Sequence, residues 1–258
     1  MASGPGLDLV DLNFRLATAA FIATSKIGEV LDAHDLTITN TRSAIAEFNL
    51  VFLKRPAHKL EKTLDRAARY FAAQGLPYRV CVRGDQAGAC REPLVARGFR
   101  EVRPVPGMLL SPLGDAPEPP DELEVRRVRD PQGLAEFQAT AFDGFGLPAA
   151  AAPLFLTQDF ADLPRVALFV GYAGGEPVST AALVGSEDVA GVYWVSTREA
   201  ARGRGYGAAL TWQAVRAGRE LGYPLASLQA SEMGRPVYRR MGFRHDRDYV
   251  QLDSPKAD

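Results

Sequence analysis

Cysteine is scarce in this sequence. The 258 residues include only two cysteines, Cys81 and Cys90, which are too few for a framework of disulfide bonds. Cys81 stands in an apolar run, where a small buried side chain is the ordinary interpretation. A reducing compartment is therefore the default, and we expect a cytoplasmic protein.

An excess of charge is also missing. The formal net charge is −1, so nothing predicts bulk attraction to nucleic acid or to an anionic membrane. The sequence has no apolar run long enough to span a bilayer. Residues 1–12 contain Asp8 and Asp11 and lack the basic start of a signal peptide. We expect neither nucleic acid nor a membrane as partner.

Several catalytic signatures are absent. The histidines, His34, His58 and His245, are scattered and show no metal-ligand spacing, so we expect no metal. The pattern of a P-loop NTPase does not occur, nor does the G-x-S-x-G of many hydrolases. Alanine and arginine dominate over isoleucine and lysine, which hints at a GC-rich bacterial genome. The oligomeric state is not readable from the sequence.

The sequence does contain a run of alternating glycines between a strand-like segment, 191–197, and a helix-like segment, 208–221. Glycines tolerate unusual backbone angles and leave room for a ligand. The start of a helix offers free N–H groups and a positive dipole end, which suit phosphate. A flexible connection without function is the alternative. The run consists of Arg202, Gly203, Arg204, Gly205, Tyr206 and Gly207.

Residues 202–207 resemble the Q/R-x-x-G-x-G/A signature of the GNAT superfamily of N-acetyltransferases. A second match lies downstream, where 225–231 resembles the family's fifth strand and Tyr238 to Phe243 fits its Y-x-x-x-G-F segment. The two matches occur in the family's order and spacing. The resemblance covers roughly Glu124 to Leu252.

The resemblance implies that acetyl-coenzyme A is the donor and that the backbone amides of 202–207 hold its pyrophosphate. It implies that backbone groups of Val195 and Thr197 form hydrogen bonds with the pantetheine arm and that a backbone N–H polarises the thioester carbonyl. It makes Tyr238 the candidate proton donor to the leaving thiolate. Ser231 would contact the coenzyme or a bound water, although a helix cap is an almost equal alternative.

The general base is not identified by the sequence. Many family members place a glutamate on the fourth strand, yet none stands in 191–197. Glu187 and Asp188 precede that strand in an expected turn, and Asp143 lies in a glycine-rich loop. Water is a further candidate. The resemblance implies direct transfer of the acetyl group to a primary amine of a small molecule or peptide. The missing glutamate leaves a non-catalytic acyl-coenzyme A sensor as the alternative.

The order of helix-like and strand-like segments and an internal repeat predict an α/β protein made of two copies of one fold. The resemblance implies that the copies are two GNAT-like domains in tandem, with a mixed sheet. Gly75-Leu76-Pro77 parallels Gly222-Tyr223-Pro224, and the Gly98-Phe99 pair parallels Gly242-Phe243. The first copy is expected to be degenerate, because the basic segment 54–59, which includes a proline, replaces the glycine loop. The interface between the two copies could close one side of the acceptor cleft. The predicted units are a degenerate domain 1–110, a proline-rich linker 111–122 and a catalytic domain 123–258.

Local patterns predict the individual elements. Helices are expected over 7–24, 56–74, 92–97, 131–142, 149–160, 208–221 and around 237–241. Strands are expected over 29–39 (one or two), 49–53, 78–82, 99–110, 123–128, 166–172, 178–185, 191–197, 225–230 and around 249–252.

Overall fold

The computed structural model describes residues 5–54 and 59–255. The helices of the first half are α1 Pro5–Ala23, α2 Leu60–Ala72 and α3 Ala87–Ala96. Its strands are β1 Glu29–Asp32, β2 Leu36–Asn40, β3 Leu50–Leu53, β4 Arg79–Arg83, β5 Arg100–Glu101 and β6 Val105–Leu110.

The second half follows the linker. Its helices are α4 Pro131–Phe145, the one-turn helices α5 Ala152–Phe155 and α6 Gln158–Ala161, then α7 Tyr206–Glu220 and α8 Arg235–Arg240. Its strands are β7 Leu123–Arg127, β8 Val166–Ala173, β9 Glu176–Ser186, β10 Val189–Thr197, β11 Leu225–Gln229 and β12 Arg244–Asp253. Within the described ranges, no helix has the length and apolar character needed to cross a membrane.

All of these strands join one mixed sheet, in the order β1-β2-β3-β4-β12-β6-β11-β10-β9-β8-β7, with β5 paired beside β12. Among the described strands, neighbours run antiparallel except at two places, β3 with β4 and β10 with β11. These two parallel pairs lie at matching positions on either side of the centre. The mixed α/β sheet confirms the fold class that the sequence predicted.

The two halves exchange their last strands at the centre of the sheet. Strand β6, from the first half, pairs with β11, and Leu228 stands opposite Met108. Strand β12, the last strand of the second half, pairs with β4, and Val250 stands opposite Val82. The division at 111–122 stays a prediction, but cutting the chain there would remove a central strand from each half of the sheet.

The helices cover opposite faces of this sheet. The apolar side of α7, with Leu210 and Ala214, packs in one buried cluster with Leu183 and Ala190 of the strands beneath it. On the other face, α4 contributes Phe137 to a cluster that also includes Ala17 of α1. Helix α1 therefore belongs to the first half in sequence but covers strands of the second.

The internal repeat is visible in the backbone. Gly75 and Gly222, each just after a helix, have φ angles of 64° and 87°. Gly98 and Gly242, each before a phenylalanine, have φ angles of 82° and 95°. Left-handed angles of this kind favour glycine, so the paired glycines end equivalent helices in the two halves.

Some predicted elements are corrected by the structure. The single strand 99–110 is two strands, because Pro104, in the gap between them, has no N–H to donate to a ladder. The single helix 149–160 is broken at Leu156, whose ψ of 85° is not helical. Helix α3 begins five residues earlier than predicted and contains Pro93 in its interior. The predicted helix start at Pro56 lies outside the described residues.

Candidate active site

Strands β10 and β11 separate toward their carboxyl ends. Among the described residues their pairing covers only Val189 to Gly191 on β10, with Leu225 to Ser227 on β11. Beyond Gly191, β10 continues along β9 as far as Thr197. The later residues of β10 therefore border an opening in the sheet.

A β-bulge lies on β10 at this opening. The register with β9 shifts between Tyr193 and Ser196, and Trp194 has a φ of 52°. A left-handed angle is strained for a tryptophan and costs of order 1–3 kcal/mol. Stacking on Phe142, with ring centroids 5.8 Å apart and 8° between the planes, helps to hold it. The bulge is therefore fixed by its surroundings.

The pairing with β9 determines where the backbone groups of β10 point. The N–H of Arg198 donates to the carbonyl of Val178 at 2.9 Å. Because hydrogen-bonded positions alternate along an antiparallel pair, Val195 and Thr197 direct their backbone groups away from β9. Both residues thus face the opening with their main chain.

The glycine loop ends directly at the start of α7. Gly203 and Gly205 have φ angles of 80° and 81°, and no side chain caps the helix at Gly205. The first helical bond that follows runs from the N–H of Ala209 to the carbonyl of Gly205 at 3.0 Å. A Cβ at Gly203 would meet no heavy atom within 4 Å. Free N–H groups and open space suit a phosphate group.

The two arginines of this loop have different surroundings. The guanidinium of Arg202 donates to the carbonyls of Thr197 at 3.1 Å and Gly144 at 3.0 Å. It therefore ties the end of α4 to the end of β10, and it occupies a carbonyl that the sequence resemblance assigned to the donor. Within the described ranges, Arg204 forms no hydrogen bond or ion pair. Its charge is therefore available to a phosphate.

Tyr238 lies on α8, on the same face of the sheet as α7. Its side chain is buried, and its ring packs edge-on against Phe243 with centroids 6.0 Å apart. Burial raises the pKa of Tyr238 to about 12, an effect partly offset by the hydroxyl of Thr211. That hydroxyl donates to the carbonyl of Gly207 at 2.8 Å. The phenol therefore lies close to the first turns of α7 and keeps its proton at neutral pH.

Comparison with known proteins bears on this arrangement. Residues 134–243 match the sequence profile of the Acetyltransferase (GNAT) family. This segment is a GNAT domain. The match contains most of α4, the bulged strand, the glycine loop and Tyr238. A search of curated proteins finds no match to the sequence.

Solved structures resemble the whole chain. A GCN5-related N-acetyltransferase from Kribbella flavida has a TM-score of 0.76 at 20% identity, over 99% of this chain and 98% of that one. One from Sphaerobacter thermophilus has a TM-score of 0.68 at 17% identity, over 88% and 84%. A tandem GNAT protein from the clavulanic acid biosynthesis pathway has a TM-score of 0.63 at 13% identity, over 97% and 96%. These likenesses show the fold, including its tandem arrangement.

The remaining candidate residues are Ser231, a possible contact of the coenzyme, and the carboxylates considered as the general base. Ser231 is exposed, and its hydroxyl accepts from the N–H of Gly234 at 3.1 Å, as a capping residue does. Asp143 lies 3.5 Å from Arg198. Glu187 and Asp188 occupy the turn between β9 and β10, at the opposite end of β10 from Thr197. No carboxylate stands on β10 itself.

Two contacts of the GNAT domain were missed in the sequence. Thr211 stands four residues after Gly207 on the same helix face, a spacing that would have signalled its bond to the loop carbonyl. Asn13 of α1 is completely buried and bonds to β9 and β10. No local pattern in the sequence indicates that second contact, because the partners lie more than 170 residues away.

Proposed function

We propose that this chain is an N-acetyltransferase, which transfers an acetyl group from acetyl-coenzyme A directly to a primary amine of a small-molecule or peptide acceptor. The proposal depends chiefly on one observation. The separated strands β10 and β11 open beside the uncapped, glycine-rich start of α7. The family match supports acyl transfer in general. The cytoplasmic location and bacterial origin remain predictions from the sequence.

The glycine loop would hold the donor. Residues 202–207 present the free N–H groups of the first turn of α7, and Gly205 has only Pro120 near its missing Cβ, at 3.9 Å. Arg204 would add a charge-assisted hydrogen bond to a phosphate oxygen. Arg202 would act indirectly, because it already fixes the carbonyls of Gly144 and Thr197. The residues present therefore fit a pyrophosphate.

Acetyl-coenzyme A supplies an acetyl group activated as a thioester. Positioned N–H groups stabilise the charge that develops on a reacting carbonyl oxygen, and we assign this role to the bulged strand at Val195, with Thr197 beside it. The leaving sulfur needs a proton as its bond to carbon breaks. Tyr238 would give that proton, because its phenol is neutral and its pKa is raised to about 12 by burial.

The acceptor would enter as a neutral amine, or lose its proton to water. The absence of a carboxylate from β10 supports this assignment. Asp143 is exposed, and its carboxylate lies 3.5 Å from the guanidinium of Arg198. The same absence motivates a second candidate, a module that binds acyl-coenzyme A without catalysis.

Turnover distinguishes the two candidates. The purified chain would be incubated with acetyl-coenzyme A and a panel of amino sugars, polyamines, amino-acid derivatives and peptide N-termini, and thiol release would be followed with a thiol reagent. An enzyme should release thiol in proportion to one class of amine. Tyr238→Phe should lower kcat at least tenfold, with the Kd for acetyl-coenzyme A little changed. Tight binding without thiol release on every amine would favour the sensor.

A further inference from the structure

We propose that Asn13, on the helix α1 of the degenerate half, is a positioning residue for acyl transfer in the GNAT domain. The inference rests on the proposed function, because it concerns the strand whose backbone would stabilise the reacting carbonyl. It gives the first half a specific task, which is to hold the bulge of β10 through Tyr193.

Asn13 joins α1 to the hairpin of β9 and β10. Its amide nitrogen donates to the carbonyl of Val184 at 3.0 Å and to the hydroxyl of Ser186 at 2.8 Å, and a weaker contact reaches the carbonyl of Val189 at 3.4 Å. The residue has no exposed surface. These bonds fix the closed end of the hairpin, which lies away from the opening.

The amide oxygen of Asn13 makes a different contact. It accepts a hydrogen bond from the hydroxyl of Tyr193 at 2.7 Å. Tyr193 is the residue at which the register of β10 begins to shift. One side chain of α1 therefore holds both the base of the hairpin and Tyr193, the last paired residue before the bulge.

The packing leaves Asn13 little alternative. A Cβ added at Gly191 would lie 2.1 Å from its amide oxygen and 2.5 Å from the ring of Tyr193. Because Gly191 has no side chain, the amide of Asn13 and the phenol of Tyr193 can approach each other beside it. The side chain of Asn13 therefore cannot change rotamer without losing several hydrogen bonds at once.

Helix α1 also contacts Trp194, the residue that follows Tyr193 on β10. The ring of Phe21, two turns after Asn13, packs against Trp194 with centroids 4.9 Å apart. Trp194 carries the left-handed backbone angle, and its carbonyl accepts from the hydroxyl of Thr180 at 2.8 Å. Polar and aromatic contacts from α1 therefore act on consecutive residues just before Val195. A small shift here would move the N–H groups that follow.

Two variants that each delete one bond to Asn13 test this role. Tyr193→Phe removes the bond at the bulge, whereas Ser186→Ala removes the bond at the base of the hairpin and serves as the matched control. For the full chain, kcat at saturating donor, the Kd for acetyl-coenzyme A and the urea midpoint would be measured. Asn13→Ala and its combination with Tyr193→Phe complete a double-mutant cycle.

We expect Tyr193→Phe to lower kcat about tenfold or more, since small misplacement of a catalytic group is costly, while the Kd changes by less than about twofold. Ser186→Ala should keep kcat within about twofold of wild type despite a lower midpoint. In the Asn13→Ala background, Tyr193→Phe should add little. Unchanged kcat in Tyr193→Phe, or equal losses of kcat in Tyr193→Phe and Ser186→Ala, would overturn this inference but leave the proposed function standing. A wild-type chain without turnover would instead overturn the proposed function, and this inference with it.

Discussion

Helix α7 rests on the sheet through a glycine, and this contact offers a quantitative test of the packing. A Cβ at Gly218 would lie 2.5 Å from the Cβ of Ala190 on β10, well inside the distance of ordinary carbon contact. Gly88, near the start of α3, is exposed and would meet nothing within 4 Å. We therefore compare Gly218→Ala with Gly88→Ala. Both replace a helical glycine by alanine, but the added methyl group meets the sheet at Gly218 and solvent at Gly88.

The expected effects have opposite signs. Alanine in place of glycine favours a helix by up to about 1 kcal/mol. At Gly218 the forced separation of α7 from β10 costs roughly 1–3 kcal/mol as overpacking, so after the helix gain is subtracted Gly218→Ala should destabilise the fold by about 0–2 kcal/mol. Gly88→Ala should stabilise it by about 0.5 kcal/mol. For a chain of this size, 1 kcal/mol shifts Tm by roughly 2–4 °C.

Thermal and urea unfolding of the two variants and wild type would measure the difference. We expect Tm to fall by about 4 °C in Gly218→Ala and to rise by about 1–2 °C in Gly88→Ala. If Gly218→Ala were as stable as Gly88→Ala, α7 would not lie against β10 as described, and the position of the glycine loop would be in error.

Three further predictions concern residues of the proposed donor site. Burial raises the pKa of Tyr238 from its usual value near 10 to about 12. The folded protein therefore holds the phenol proton more tightly than the unfolded chain does. The resulting gain in the free energy of unfolding is complete below pH 10 and is lost as the pH rises from about 10 to 12, by about 3 kcal/mol in all. Urea unfolding at pH 9 and pH 11.5 should therefore show a smaller loss with pH in Tyr238→Phe than in wild type; equal losses would contradict the burial. Arg204→Gln should weaken acetyl-coenzyme A binding about three- to tenfold at low salt and less at high salt, measured by calorimetry. Arg202→Gln should lower the urea midpoint more than Arg204→Gln does; the reverse order would contradict the contacts of Arg202 with Thr197 and Gly144.

Local signals in the sequence predicted much of the fold. Gly75 and Gly222, which follow the predicted helices 56–74 and 208–221, have the left-handed angles that are common at helix ends. The strands predicted over 166–172 and 178–185 form as β8 and β9, and they pair as a hairpin with its turn at Gly174 and Gly175. These features depend on a few neighbouring residues, and a single sequence contains that information.

Features that depend on distant segments were not predictable in the same way. The exchange of β6 and β12 requires pairing between residues more than 100 positions apart, as between Leu228 and Met108. The bulge at Trp194 depends on rings from α1 and α4. No local propensity specifies either one. The sequence indicated residues 202–207 as a candidate donor loop, which stays a prediction, whereas the contact of Asn13 with β10 is visible only in three dimensions.

Binding of acetyl-coenzyme A tests the central claim most directly. Calorimetric titration would compare wild type with Gly205→Glu, which places a carboxylate at the start of α7. Gly174→Glu is the matched control, because Gly174 also has a left-handed φ, of 61°, and open space around its Cβ. The account predicts binding by wild type and Gly174→Glu, and none by Gly205→Glu. Absence of binding by wild type, or unchanged binding by Gly205→Glu, would contradict it.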